Sequence, residues 1–130
     1  MPVVVADASA IAALVFVETD ADAVAIRLGS ADLAAPTLLS YEIANVATVK
    51  VRRRLITGAA AESGLALFGR LDVRLHAVDA AAVFAVARET GLTAYDAAYV
   101  WLARALRADL VTLDGKVERS FRAFRPGTGA

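Results

Sequence analysis

The stretch Val3-Val4-Val5-Ala6-Asp7-Ala8-Ser9-Ala10, continued by the apolar run from Ala10 to Val17, decides the fold class. Three consecutive β-branched residues read as a short buried strand. An acid and two small residues follow, and the run after them reads as a helix that starts at the strand's carboxyl end. The same alternation recurs down the chain. A second helix is expected over Ala21 to Leu28, stopped by Gly29. Pro36 marks a break, and Thr37 is a candidate N-cap for a long helix reaching about Arg54. Thr57 caps the next helix, which runs through Phe68 to Gly69. Val73 to Val78 is strand-like, and Asp79 caps a helix over Ala80–Glu89 closed by Gly91. Thr93 opens another helix to about Arg107, and Leu110-Val111-Thr112-Leu113 is the last strand. Strands alternating with helices predict an α/β fold with a central, mostly parallel β-sheet flanked by helices.

Composition narrows the chemistry. The 130 residues suit one domain, 1–130, with no repeat or linker to divide them. A hydrophobic share of 58% and a mean hydropathy of +0.57 exclude disorder. The longest apolar run, Ala10 to Val17, falls well short of the roughly 20 residues that span a bilayer. No basic region precedes that run, so no signal peptide is expected. The absence of cysteine excludes disulfides and thiolate metal sites and fits a reducing compartment, so the expected location is cytoplasmic. One histidine, His76, leaves little for a zinc site or a Ser-His-Asp triad. Carboxylates must carry any chemistry. The net charge of zero is unevenly spread: residues 1–46 hold six acids and one base (−5), and residues 47–130 hold thirteen bases and eight acids (+5).

Four acids stand at the edges of apolar segments. In open α/β sheets ligands bind outside the carboxyl ends of the strands, and Asp7 and Asp114 directly follow the first and last strands. Each also has a plainer role: Asp7 as a helix N-cap, Asp114-Gly115 as a turn. Glu42 shares a helix face with Leu39, Ile43 and Val46, where a carboxylate is costly unless paired, metal-bound or able to reach water. Asp96 completes a Thr-x-x-Asp capping pattern at the start of a helix that is apolar all round, Ala97 to Ala103. Were these four to converge, a pair about 5 Å apart would repel by roughly 3 kcal/mol at an effective dielectric of 20, which a divalent cation removes. All-oxygen ligation points to Mg²⁺ or Mn²⁺, an ion able to activate water for phosphoryl transfer. One sequence does not show that the acids meet.

In order and rough spacing, Val4-Val5-Ala6-Asp7-Ala8-Ser9-Ala10, Tyr41-Glu42-Ile43-Ala44-Asn45, Leu92-Thr93-Ala94-Tyr95-Asp96-Ala97-Ala98-Tyr99 and Leu110-Val111-Thr112-Leu113-Asp114 resemble a PIN-domain ribonuclease, specifically the VapC-type toxins of toxin–antitoxin pairs. The resemblance implies the PIN fold and Mg²⁺- or Mn²⁺-dependent cleavage of RNA by metal-activated water. It implies that Asp7, Glu42, Asp96 and Asp114 form the metal-binding acidic pocket, with Ser9 and Thr112 assisting by hydrogen bonds. Asp114 matches the acid that varies most in the family. A cognate antitoxin and a second copy of the chain are the implied protein partners, in a homodimer or a toxin–antitoxin hetero-oligomer. The family pattern does not place the segment after Asp114, where Glu118 stands among Lys116, Arg119, Arg122 and Arg125.

Other readings compete. A haloacid-dehalogenase-type phosphatase needs a second Asp two residues after the first, where this chain has Ser9. A receiver domain needs paired acids near the first strand's end, and Asp7 has no such neighbour. A non-catalytic PIN-like module, its acidic pocket binding basic segments of a protein partner, is the alternative outside enzymes. The run Lys50-Val51-Arg52-Arg53-Arg54 could grip RNA phosphates or simply end a helix in water, where cations suit the dipole. Trp101 reads as core, the tyrosines as potential base-stacking groups, and His76 as a surface or satisfied histidine.

Overall fold

The computed structural model describes residues 2–123, so Arg125 lies outside the described residues. The chain runs β1 (Val3–Ala6), α1 (Ala8–Val15), α2 (Ala21–Leu28), β2 (Asp32–Pro36), α3 (Leu38–Arg52), α4 (Gly58–Arg70), β3 (Arg74–His76), α5 (Ala80–Thr90), α6 (Ala94–Leu106), β4 (Asp109–Val111) and α7 (Gly115–Ala123). The strands form one sheet in the order β3-β2-β1-β4, every pairing parallel. This is the expected α/β architecture.

β1 is central because both its neighbours can be buried. Val5 pairs with Ala34 on one side and Leu110 on the other, and all three are buried. Leu39 and Ile43 of α3, Ile11 of α1 and Tyr99 of α6 are wholly enclosed in the same core, each aliphatic side chain worth about 1.5–3 kcal/mol of burial. At Gly64 of α4 a Cβ would stand 2.5 Å from the Phe16 ring and 2.9 Å from the Val15 carbonyl. Only glycine lets α4 lie that close to the end of α1.

Caps set most of the helix ends. Thr57, Asp79 and Thr93 each accept a hydrogen bond from the backbone N–H three residues on, and Gly91 closes α5 in the left-handed conformation at φ 75°. Thr37 precedes α3 but makes no side-chain cap bond. Two elements were not foreseen. β2 is Asp-Leu-Ala-Ala-Pro, poor in strand-forming residues; pairing on both edges makes it a strand, and Pro36 is its last residue. α7 emerges from the Asp114-Gly115 turn, its Val117 and Phe121 buried while its other faces carry charge. Among the described residues no helix is long and apolar enough to cross a membrane.

Candidate active site

Parallel strands all present their carboxyl ends at one edge of the sheet, and here β1 and β4 end side by side, Ala6 paired with Val111. The next residues of each strand therefore meet. Asp7 and Thr112, 5% and 4% exposed, are together with Tyr99 the buried side chains that carry a polar or charged group among the described residues, and Asp7 and Thr112 are bonded to each other. The Thr112 hydroxyl donates to Asp7 Oδ2. Ser9 Oγ donates to Asp7 Oδ1 at 2.6 Å, and the Ala10 N–H donates to the same oxygen at 3.1 Å. Asp7 is thus both the N-cap of α1 and an anchored carboxylate; the two readings coexist. The hydroxyls bind backward as well: Leu113 N–H donates to Ser9 Oγ at 2.9 Å and Asp114 N–H to Thr112 Oγ1 at 3.0 Å. That lattice ties the turn after β4 to the turn after β1.

The other acids arrive from different elements. Glu42, on the second turn of α3, is half-buried, and its Oε1 accepts from the Tyr99 hydroxyl at 2.6 Å. Asp96 occupies the first turn of α6, half-buried. Asp114 is exposed, and its Oδ1 caps α7 by accepting from Lys116 N–H at 2.9 Å and Val117 N–H at 3.2 Å.

Asp7, Glu42 and Asp96 lie within electrostatic reach of one another, and Asp114 acts on Asp7 and Asp96. Burial holds the Asp7 carboxyl above its ordinary range despite the Ser9, Thr112 and Ala10 hydrogen bonds that oppose it, and the charge of Asp114 adds to the rise. Burial raises Glu42 as well, with Asp96 and Asp7 pushing the same way and the Tyr99 hydroxyl opposing. Asp96 is raised by burial, then by Asp114 and Asp7; a hydrogen bond from Thr93 and the charge of Lys116 pull it back. None of the four salt bridges seen among the described residues involves any of these acids. Lys116 donates its ammonium to the Gly91 carbonyl at 3.2 Å.

Among the described residues no group of three or more acidic or histidine side chains stands ready-made to hold a metal ion. The carboxylates converge to electrostatic distance rather than to contact. Their donor chemistry still suits a hard divalent cation: every donor is oxygen, and among the described residues the negative charge has no ion-pair partner.

The remaining sequence candidates lie elsewhere. Arg52, Arg53 and Arg54 are exposed, and Arg52 is ten residues beyond Glu42, about 15 Å along the axis of α3. Lys50 is paired with Glu18 at 3.1 Å. Trp101 packs against the core half-buried, and His76 is half-buried on the edge strand β3. Tyr41 and Tyr95, each one residue before a pocket acid, are 80% and 68% exposed. Tyr99 was not foreseen as part of the site. Its spacing of three from Asp96 was the available signal, since it puts both on one face of α6.

No protein-family model matches the chain. Over 125 residues the chain is 36% identical to Ribonuclease VapC3 of Pyrobaculum aerophilum, an alignment covering 92% of this chain and 95% of that protein. Its fold is similar to the crystal structure of PAE2754 from the same organism, with a TM-score of 0.74 and 29% identity over 92% of this chain and 84% of that one. The identity extends over almost the whole length of both proteins, so the chain belongs to the VapC-type PIN-domain ribonucleases.

Proposed function

We propose that the chain, as a single domain over 1–130, is a divalent-metal-dependent endoribonuclease that acts as the toxin of a type II toxin–antitoxin system. The observation that carries this reading is the buried, hydrogen-bonded Asp7 among three further acids with no ion-pair partner among the described residues. A negative pocket without an ion pair among the described residues is unfavourable for the fold, and a bound divalent cation is what makes it useful.

Asp7, Glu42, Asp96 and Asp114 would hold Mg²⁺, or Mn²⁺ in its place. When bound, that ion supplies a water acidic enough to act as nucleophile and neutralises charge growing on the phosphate. The chain's own residues do the rest. Ser9 and Thr112 keep the Asp7 carboxylate in one orientation, both donating to it, so its lone pairs need not reorganise during the reaction. The Lys116 ammonium, which donates to the Gly91 carbonyl, lowers the charge cost at Asp96. RNA is the substrate, and a cognate antitoxin and a second copy of the chain are the protein partners, in the cytoplasm. The relative named Ribonuclease VapC3 supports the substrate class.

Purified protein incubated with RNA tests the reading. Cleavage is expected with Mg²⁺ or Mn²⁺, none with EDTA, and roughly a thousandfold less from Asp7→Asn. Cleavage that persists in EDTA and is still lost in Asp7→Asn would refute the metal. No cleavage under any condition, with basic partner segments bound instead, would favour the non-catalytic module.

A further inference from the structure

A tyrosine enclosed to 1% exposure has a problem that phenylalanine does not: its hydroxyl must find a partner or lose its hydration for nothing. Its neighbours on α6 offer none, since Ala97, Ala98, Val100 and Leu102 are apolar and buried. Among the described residues its partner is Glu42 Oε1, 57 residues away in sequence and 2.6 Å away in space. The bond joins α3 to α6, the two helices that carry the pocket acids Glu42 and Asp96.

The support given to the acids is unequal. Asp7 is held by two hydroxyls and a backbone N–H, and Asp114 by two backbone N–H groups. Glu42 has a longer, more flexible side chain, and among the described residues the Tyr99 hydroxyl is its one hydrogen-bond donor. Without that bond nothing but packing would choose its rotamer.

We propose that Tyr99 is the positioning residue of Glu42: its buried hydroxyl occupies Oε1, leaving Oε2 as the oxygen presented to the pocket. Tyr99 touches neither metal nor RNA. It does for Glu42 what Ser9 and Thr112 do for Asp7, with one hydroxyl supplied by the core rather than by a strand end. This inference rests on the metal-site reading above and deepens it.

The test compares parent, Tyr99→Phe, Glu42→Ala and the double variant, each assayed for Mn²⁺ binding by calorimetry and for RNA cleavage with Mg²⁺. Tyr99→Phe keeps the ring and its packing and removes only the hydroxyl. It is expected to weaken Mn²⁺ about tenfold, the usual scale for losing a group that orients a ligand, and to lower kcat by a similar factor while KM for RNA stays unchanged. In the Glu42→Ala background, which leaves the hydroxyl no acceptor at position 42, the same change is expected to add no further loss, because the residue acts through Glu42. If Tyr99→Phe does not fold, comparing Glu42→Ala with the double variant still decides. Parent-like Mn²⁺ affinity and kcat in Tyr99→Phe would overturn the proposal, as would a full additional loss in the double variant. A parent that binds no Mn²⁺ would remove the metal-site reading and this inference together, an outcome distinct from an active parent with an indifferent Tyr99.

Discussion

The two charged regions of this molecule are opposites in construction. The basic run at the end of α3 is contiguous in sequence and open in space: Arg52, Arg53 and Arg54 are exposed, and Lys50 is tied to Glu18. The acidic pocket is scattered over more than a hundred residues of sequence, yet Asp7 is buried and hydrogen-bonded on both oxygens. Charge crowded along the chain can be solvated at little cost. Charge crowded by folding cannot, because the surrounding apolar core excludes the water that would screen it. A cluster assembled against that cost, from separate elements, is the one proposed above as the metal site.

The strongest challenge to this contrast is Asp7→Asn. The amide can still cap α1 but carries no charge. Cleavage is expected to fall roughly a thousandfold, corresponding to several kcal/mol of lost metal-assisted stabilisation of the transition state, while circular dichroism stays that of the parent. A fall matched by loss of fold would reduce Asp7 to a structural residue.

Next in size is the response to metal. A hundredfold excess of Mg²⁺ over Kd is worth about 2.7 kcal/mol of stability, or roughly 10 °C in Tm for a chain of this length. Asp96→Asn sharpens the point. In EDTA it should melt above the parent, by no more than about 1 kcal/mol since the group is half-buried and partly screened, and its gain from Mg²⁺ should shrink. Thr93 Oγ1, which accepts from the Asp96 N–H, preserves the cap of α6 in either case. A variant that melts lower than the parent, with an unchanged Mg²⁺ response, would leave Asp96 as a supporting residue of the helix start.

Acidity gives a smaller effect of definite sign. Asp7, Glu42 and Asp96 all bind protons more tightly in the folded chain than in the unfolded one, chiefly because they are buried. Above the ordinary carboxylate range the folded state therefore holds more protons, and the contribution of these groups to stability falls as pH rises through that window. Metal-free protein should melt higher at about pH 5 than at about pH 7, bracketing the upper side of the carboxylate range, and saturating Mg²⁺ should flatten or reverse the trend. Melting curves in EDTA that fall steadily as the solution is acidified would contradict the unpaired pocket.

The smallest expected change belongs to the basic region. Replacing Arg52 and Arg53 by glutamine should reduce the salt dependence of RNA binding by about 0.7 per lost phosphate contact, as measured by titrations across ionic strength. An unchanged slope with weaker antitoxin binding would assign the run to the protein partner. If neither moves, the arginines are a solvated helix end.

The sequence alone determined whatever depends on near neighbours. Val3-Val4-Val5 before Asp7 announced the central strand, and Thr57, Asp79, Thr93 and Gly91 marked their helix ends because a cap needs only residues three or four apart. It also restricted the chemistry to carboxylates, since composition is indifferent to folding, and the ordered motifs around the four acids pointed to the family. β2 was missed because Asp-Leu-Ala-Ala-Pro has no strand preference of its own and is held by the strands on either side. α7 was missed because only Val117 and Phe121 of its residues are buried, too thin a stripe among charges to read. Which acids meet, that Thr112 donates to Asp7 and that a core tyrosine reaches Glu42 across 57 residues were decided by tertiary structure alone. Those contacts are set by the parallel register of β1 with β4 and the packing of both α3 and α6 against β2, and no local pattern in the chain encodes a distance between segments that far apart.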